Sequence, residues 1–133
     1  RLVRSEDPGL QGGLTGTEPF RVSHTVMDPY SARIILGASE RAVSALELSR
    51  RFGIPIAACY RRIRQLEELG LLYCERALPS RNGKGMQLFR SSLKSIRIAL
   101  EDGRLWARVL IDDGAEPHAQ EQTLCLMDLR HPT

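Results

Sequence analysis

The feature that most constrains the fold of this 133-residue chain is a pair of short helices joined by a tight turn within residues 44–69. The first helix begins with a capping box, in which the Ser44 hydroxyl accepts a hydrogen bond from the Glu47 amide and the Glu47 carboxylate reaches back. It ends at Gly53, a residue suited to the left-handed conformation after a helix. The second helix, residues 55–69, follows at once. The pattern predicts a helix-turn-helix unit.

The second helix of this unit is predicted to have an apolar side and a basic side. Apolar residues at spacings of three and four indicate a buried stripe, made of Ile56, Cys59, Ile63 and Leu66. Small, basic and aromatic side chains fall on the opposite face or on its flanks, and they are Ala57, Ala58, Tyr60, Arg61, Arg62 and Arg64. Because these residues share the exposed side, we interpret them as a candidate binding surface.

Further elements surround the helix-turn-helix unit. Asp28 and Pro29 are an N-cap and first-turn pair, and they predict a preceding helix that ends at Gly37. After the unit, residues 71–78 and 86–91 read as two strands joined by a turn-rich loop at 79–85. A second hairpin follows, with Asp102-Gly103 as its two-residue turn. In that register the numbers of facing residues add to 205, so Arg97 lies opposite Arg108.

These elements predict an α+β fold, a winged helix-turn-helix of three helices and a β-wing followed by an additional C-terminal β-hairpin. Residues 28–93 form the winged domain, and residues 94–112 form an accessory hairpin packed on it. Residues 1–27 are expected to be a flexible arm with a short strand near residues 20–22. Residues 113–133 are expected to be an acidic, irregular tail.

The charge is unevenly distributed along the chain, although the net charge is only +3. Residues 41–97 carry twelve basic and four acidic side chains, a net charge of +8. Such a basic block is expected of a protein that binds a polyanion, although a solvated surface produces the same composition. A helix also fits the major groove of DNA, and Arg61 and Arg64 could reach guanine edges or phosphates there. The basic loop, with Arg81 and Lys84, could reach the backbone or an adjacent minor groove.

The run LELSRRFGIPIAACYRRIRQLEELGL at residues 46–71 resembles the helix-turn-helix of the ArsR-like winged-helix regulators, and MQLFRS at 86–91 is similar to the wing strand of their metal-independent archaeal branch. The resemblance spans residues 28–111. It implies sequence-specific binding of double-stranded DNA by a homodimer, transcription regulation, and a recognition helix at 55–69. It assigns DNA contacts to Ala57, Ala58, Tyr60, Arg61, Arg62 and Arg64, and to Arg81 and Lys84 on the wing. The second hairpin stands where many relatives have a dimerisation helix, so the dimer interface is left open.

Other classes of function find little support in the sequence. The first helix of the helix-turn-helix has no cysteine, and Cys59 falls on the buried stripe, so no metal site is expected. Gly83-Lys84-Gly85 joins two strands and is therefore not a phosphate loop. No nucleophilic triad is apparent, and we expect neither an enzyme nor a cofactor. The odd number of cysteines and the lack of a long apolar run favour a cytoplasmic protein that does not cross a membrane.

One alternative function remains open from the sequence. A winged helix can also serve as a protein-interaction module, with its basic face against an acidic partner, because a fold does not by itself determine a function. The operator, the direction of regulation and any small-molecule effector are not encoded in a recognisable motif.

Overall fold

The computed structural model describes residues 19–79, 85–112 and 120–129, in which helices come first and strands follow. The helices are α1 (Pro19–Val26), α2 (Pro29–Glu40), α3 (Ala45–Phe52) and α4 (Ile56–Glu68). The strands are β1 (Leu72–Leu78), β2 (Met86–Ser91), β3 (Leu93–Glu101), β4 (Arg104–Ile111) and β5 (Gln120–Asp128). The predicted α+β class is confirmed, with a helix-turn-helix, a β-hairpin and further strands.

Local capping signals set the ends of the helices much as predicted. The Asp28 carboxylate accepts from the Ser31 amide at 3.0 Å at the start of α2. The Ser44 hydroxyl accepts from the Glu47 amide at 3.1 Å at the start of α3, which ends at Gly53 with φ of 67°. The capping box is not reciprocal, however, because the Glu47 carboxylate forms an ion pair with Arg41. A flanking arginine therefore competes with the backbone amide for this carboxylate.

The prediction that α2 ends at Gly37 is wrong, since the helix continues to Glu40. Gly37 is buried, and a Cβ atom built there would lie 2.7 Å from Leu48 Cδ2 and 2.7 Å from Phe52 Cε2. The glycine therefore serves the close approach of α2 to α3, and it does not act as a helix stop.

The core of the winged domain lies between α2, α3, α4 and the start of the wing. Its fully buried side chains include Ile34, Leu48, Ile63 and Leu66. Cys59 is also fully buried, which confirms its prediction as a core residue, and burial raises the pKa of its thiol. These contacts hold α4 against two helices at once.

The wing is an antiparallel pair of β1 and β2, as predicted. The register shifts between Cys74 and Arg76, where a β-bulge bends the hairpin. Val43, in the connection from α2 to α3, forms a β-bridge with Phe89 through two backbone hydrogen bonds of 2.9 and 2.7 Å. This bridge ties the wing to the helix-turn-helix. The predicted basic tip, with Arg81 and Lys84, lies outside the described residues.

The second hairpin has the predicted register, with Ile96 opposite Val109 and Arg97 opposite Arg108. Its turn residues have positive φ angles, 54° at Asp102 and 74° at Gly103, as a type I′ turn requires. The hairpin is extended by β5, so the second sheet has the order β3-β4-β5. On β4, the guanidinium of Arg104 lies over the Trp106 ring, 5.7 Å from the ring centroid.

Two segments predicted to be irregular are ordered instead. Residues 19–26 form helix α1, which corrects the expected arm with a short strand, and residues 120–128 form strand β5, which corrects the expected irregular tail. Val22 of α1 and Leu124 of β5 are both buried in the main core. Each segment is too short to show a clear period, and each becomes ordered because it packs on distant residues.

A buried serine links the two sheets. Between β2 and β3, the Ser92 amide donates to the Leu71 carbonyl at 3.1 Å and its hydroxyl donates to the Gly70 carbonyl at 2.6 Å. The Ser92 carbonyl accepts from the Asp112 amide at 2.7 Å. These bonds anchor the second sheet to the end of α4.

Candidate nucleic-acid interface

The exposed face of α4 carries four of the predicted site residues. They lie along one stripe with spacings of three, one and three residues, and they are Ala57, Tyr60, Arg61 and Arg64. A helix with this stripe offers a small side chain at its first turn, where it can approach a surface closely, and longer side chains further along. The two arginines are one helical turn apart and both are exposed.

Ala58 does not lie on the exposed face, since it is only 8% accessible. Its spacing predicts an exposed position only if α4 buries one narrow apolar stripe. In the structure, α4 packs against both α2 and α3, so a wider arc of the helix faces inward. That arc takes in Ala58 and the half-buried Arg62 beside the apolar stripe.

Arg62 is directed toward the protein and away from the exposed stripe. Its Nε atom donates to Asp28 Oδ2 at 2.9 Å and its Nη2 atom donates to Asp28 Oδ1 at 3.3 Å. Its guanidinium also lies 5.7 Å from the centroid of the Tyr30 ring. Because Asp28 caps α2 as well, this pair fixes α4 to the start of α2.

The Asp28–Arg62 pair makes a pH-dependent contribution to stability. The hydrogen bond from Arg62 lowers the pKa of Asp28 to about 2. Since the folded-state pKa lies below that of the unfolded chain, the stabilisation is complete above about pH 4 and is lost as the pH falls toward 2. We expect Asp28→Asn, which retains a capping oxygen, to lower the free energy of unfolding at pH 7 by about 1–2 kcal/mol, a range reduced for partial exposure. Urea unfolding of both proteins measures this difference, which should shrink between pH 4 and pH 2.

Glu121→Gln provides the matched control, because it replaces a carboxylate by an amide at an exposed position of β5 that has no ion pair among the described residues. It should unfold like the parent chain at each pH. A pH-independent difference for Asp28→Asn would contradict a role for the charge and would indicate a capping effect alone.

Two further exposed residues of the helix-turn-helix were not among the predicted site residues. Ile56, assigned by its spacing to the buried stripe, is 41% exposed at the first turn of α4. Arg50 is exposed in the last turn of α3, just before the tight turn. Their positions in the sequence could have indicated this exposure. Ile56 directly follows the N-cap Pro55, and Arg50 lies in the last helical turn before Gly53.

The arginines of this region differ in whether an acidic side chain pairs with them. Arg51 is paired with Glu40 at 3.2 Å, and Arg62 is paired with Asp28. Within the described ranges, Arg61 and Arg64 have no acidic partner within ion-pair distance. An arginine that is exposed and not neutralised by its own chain is suited to contact a phosphate or a base edge.

The described part of the wing adds one exposed basic side chain on its outer half, that of Arg76 on β1. Arg90 lies near the base of the hairpin, opposite Tyr73, with its Nη1 atom 3.6 Å from Glu75 Oε1. The outer strand residues are exposed on both strands, so the hairpin projects from the core. The predicted contacts by Arg81 and Lys84 stay predictions, because both residues fall outside the described part of the chain.

Metal-binding clusters and membrane-spanning helices are absent from the described residues. No cluster of three or more His, Cys, Asp or Glu side chains that could hold a metal ion occurs in the described ranges. The three cysteines are free thiols. None of the helices described is long and apolar enough to cross a membrane. The expectations of no metal, no cofactor and no catalytic site stay predictions.

Sequence comparisons agree with this geometry. No curated protein sequence matches the chain significantly. The family model of a helix-turn-helix domain does match, over residues 26–74, which contain α2, α3, α4 and the start of β1. The chain therefore contains a helix-turn-helix domain. The match with this family model indicates a DNA-binding regulator.

Proposed function

We propose that the chain is a sequence-specific transcriptional regulator that binds double-stranded DNA. In this proposal α4 enters the major groove, and the wing formed by β1 and β2 lies on the backbone or in the adjacent minor groove. Base readout comes from the first turns of α4, and arginines anchor the phosphates. The protein acts in the cytoplasm, and it needs no metal or cofactor to bind DNA.

The observation that carries the proposal is the exposed stripe of α4 with Arg61 and Arg64, neither of which has an acidic partner among the residues that the structure describes. Both side chains can donate bidentate hydrogen bonds to guanine O6 and N7 or to a phosphate. Ala57 leaves room for the helix to approach the base edges, and the exposed Ile56 can contact a thymine methyl group. Arg62 supports this surface indirectly, since its bond to Asp28 holds α4 in place.

The finer assignment follows the resemblance of residues 46–71 and 86–91 to the ArsR-like regulators. We propose membership of their metal-independent archaeal branch and binding as a homodimer. A dimer would read two half-sites about one helical turn of DNA apart. In this assignment Arg81 and Lys84 contact the backbone from the tip of the wing, as the sequence predicts.

A salt titration tests DNA binding. Fluorescence anisotropy with a labelled mixed-sequence duplex should give an affinity that falls steeply with salt, because arginines release counterions from the phosphates. If each protomer neutralises about four phosphates, the log–log slope should be about −4 per protomer. Unlabelled duplex should displace the probe, whereas polyglutamate at equal charge concentration should displace it weakly.

The same titration separates DNA binding from the rival class of function. Equal displacement by polyglutamate would indicate that the basic face selects negative charge in general, as an acidic protein partner would require. Absence of binding at low salt, with a folded protein by circular dichroism, would overturn the proposal.

A further inference from the structure

An unusual feature of the second sheet is the free edge of β3. The sheet order β3-β4-β5 leaves β3 at the edge, and no strand of the described residues pairs with its outer side. Edge strands of soluble proteins are usually protected by charges, prolines or bulges. In β3 such features are confined to the ends, with a bulge and Lys94 at its start and Glu101 at its end. Over residues 95–100 the strand has a single charge, that of Arg97, and no proline. The strand is thus available to pair with another strand.

An apolar stripe runs along this edge strand. Ile98 is 49% exposed and Leu100 is 81% exposed, and both lie on the same face of the sheet as the half-buried Ile96. At the start of β3 the stripe continues into a groove of about 360 Å³ between α2 and β3. The exposed Leu36 and Met27 line this groove. Isolated exposed apolar residues are common, but a continuous stripe on a free edge indicates a contact surface.

Alternate residues of β3 direct their backbone N–H and C=O groups to β4 and to the free edge of the sheet. Glu101 and Arg104 flank the two-residue turn and therefore form the closing hydrogen-bonded pair of the hairpin. Residues 95, 97 and 99 then bond to β4, and residues 96, 98 and 100 direct their N–H and C=O groups to the free edge. The apolar residues are thus the ones whose backbone is free to bond to another strand.

We propose that β3 pairs antiparallel with β3 of a second copy of this chain, with Ile98 on the two-fold axis. The two sheets then join into one six-stranded sheet. In this register Ile98 lies opposite Ile98 of the second copy, and Ile96 lies opposite Leu100 of the second copy. All of these pairs use the outward-directed backbone groups, and the protruding Leu100 covers the groove beside α2.

Charges select this register over its neighbours. Lys94 lies in the bulge at the start of β3 and Asp102 lies in the hairpin turn, so this register brings their opposite charges to the same end of the contact, twice per dimer. Neither residue has an ion-pair partner within the described ranges. A shift of one residue per strand in one direction places the two copies of Arg97 opposite each other. The same shift in the other direction places Ile96 opposite the charged Asp102. Like charges at a facing pair, or a charge opposite an apolar side chain, are unfavourable, and of these three registers the Ile98-centred one has neither.

This inference supplies the interface of the dimeric regulator and rests on the proposed function for its biological purpose. The strand pairing itself involves no DNA. The mass of the protein in solution therefore tests the interface, and the DNA titration tests the proposed function. Either one can fail while the other holds.

Sedimentation equilibrium of the full chain at micromolar concentrations should give the mass of a dimer. Ile98→Lys brings two positive charges together on the axis and should give a monomer. Leu46→Lys is the matched control, because Leu46 on α3 is 46% exposed against 49% for Ile98 and lies outside β3. It should remain a dimer. A monomeric parent chain, or a dimer that persists in Ile98→Lys, would overturn the proposal.

Cysteine cross-linking tests the register without relying on a disruptive charge. In a background with Cys74 and Cys125 replaced by serine, Ile98→Cys should form an intermolecular disulfide, since facing Cα atoms lie about 5.5 Å apart in a hydrogen-bonded pair. Arg97→Cys and Ala99→Cys should cross-link poorly. Efficient cross-linking at position 97 or 99 and not at 98 would reject the Ile98-centred register.

Discussion

Replacing Arg61 and Arg64 together with alanine is expected to weaken binding to the preferred duplex about 100-fold, because each bidentate base contact contributes roughly 1–3 kcal/mol. Both side chains are exposed on α4 and have no acidic partner among the described residues, so their removal leaves the core intact. Fluorescence anisotropy against the selected duplex and a scrambled one measures the loss. The loss should be larger on the selected duplex, since a base contact carries specificity and a phosphate contact does not.

The double substitution Arg33→Ala/Arg108→Ala is the matched control for charge. It removes the same number of positive charges from exposed positions of α2 and β4, outside α4 and β3. Its effect on DNA affinity should be small, and screening by salt should reduce that effect further. Equal losses in the two double variants would contradict groove reading by α4 and would indicate a general effect of net charge.

Gly37→Leu is expected to lower the free energy of unfolding by about 3 kcal/mol, even though leucine forms helices better than glycine. A Cβ atom alone at this position would lie 2.7 Å from both Leu48 and Phe52, so a larger side chain must separate α2 from α3. Overpacking of this kind costs more than the roughly 1 kcal/mol that is gained in helix propensity. Urea unfolding followed by circular dichroism measures the change.

A double-mutant cycle identifies the contact responsible. Gly37→Ala should destabilise the chain, and Leu48→Val removes one of the two atoms nearest to the new methyl group, the other being Phe52 Cε2. Combined, the two substitutions should cost about 1 kcal/mol less than the sum of their separate effects, since they act on one contact. Additive effects, or a stable Gly37→Leu variant, would show that the contact between α2 and α3 accommodates the added side chain without a steric clash.

The candidate interface was predictable in part from local sequence. Spacing on a helix placed Ala57, Arg61 and Arg64 on one side, and the structure leaves all of them exposed. The same reasoning could not place Ala58 and Arg62, because their orientation depends on how many neighbours α4 has. The partner of Arg62 is Asp28, thirty-four residues earlier in the chain. Residues so far apart in the chain leave no periodic pattern in the sequence from which their contact could be predicted.

The sequence by itself determined the elements whose causes are local. The caps at Asp28 and Ser44, the glycine turn at Gly53 and the Asp102-Gly103 hairpin each depend on neighbouring residues, and each was predicted from them. Only the tertiary structure decided that residues 19–26 form a helix, that residues 120–128 form a strand, and that α2 continues through Gly37. These features are stabilised by burial against residues far away in the chain, and a side chain's burial is a property of the assembled fold.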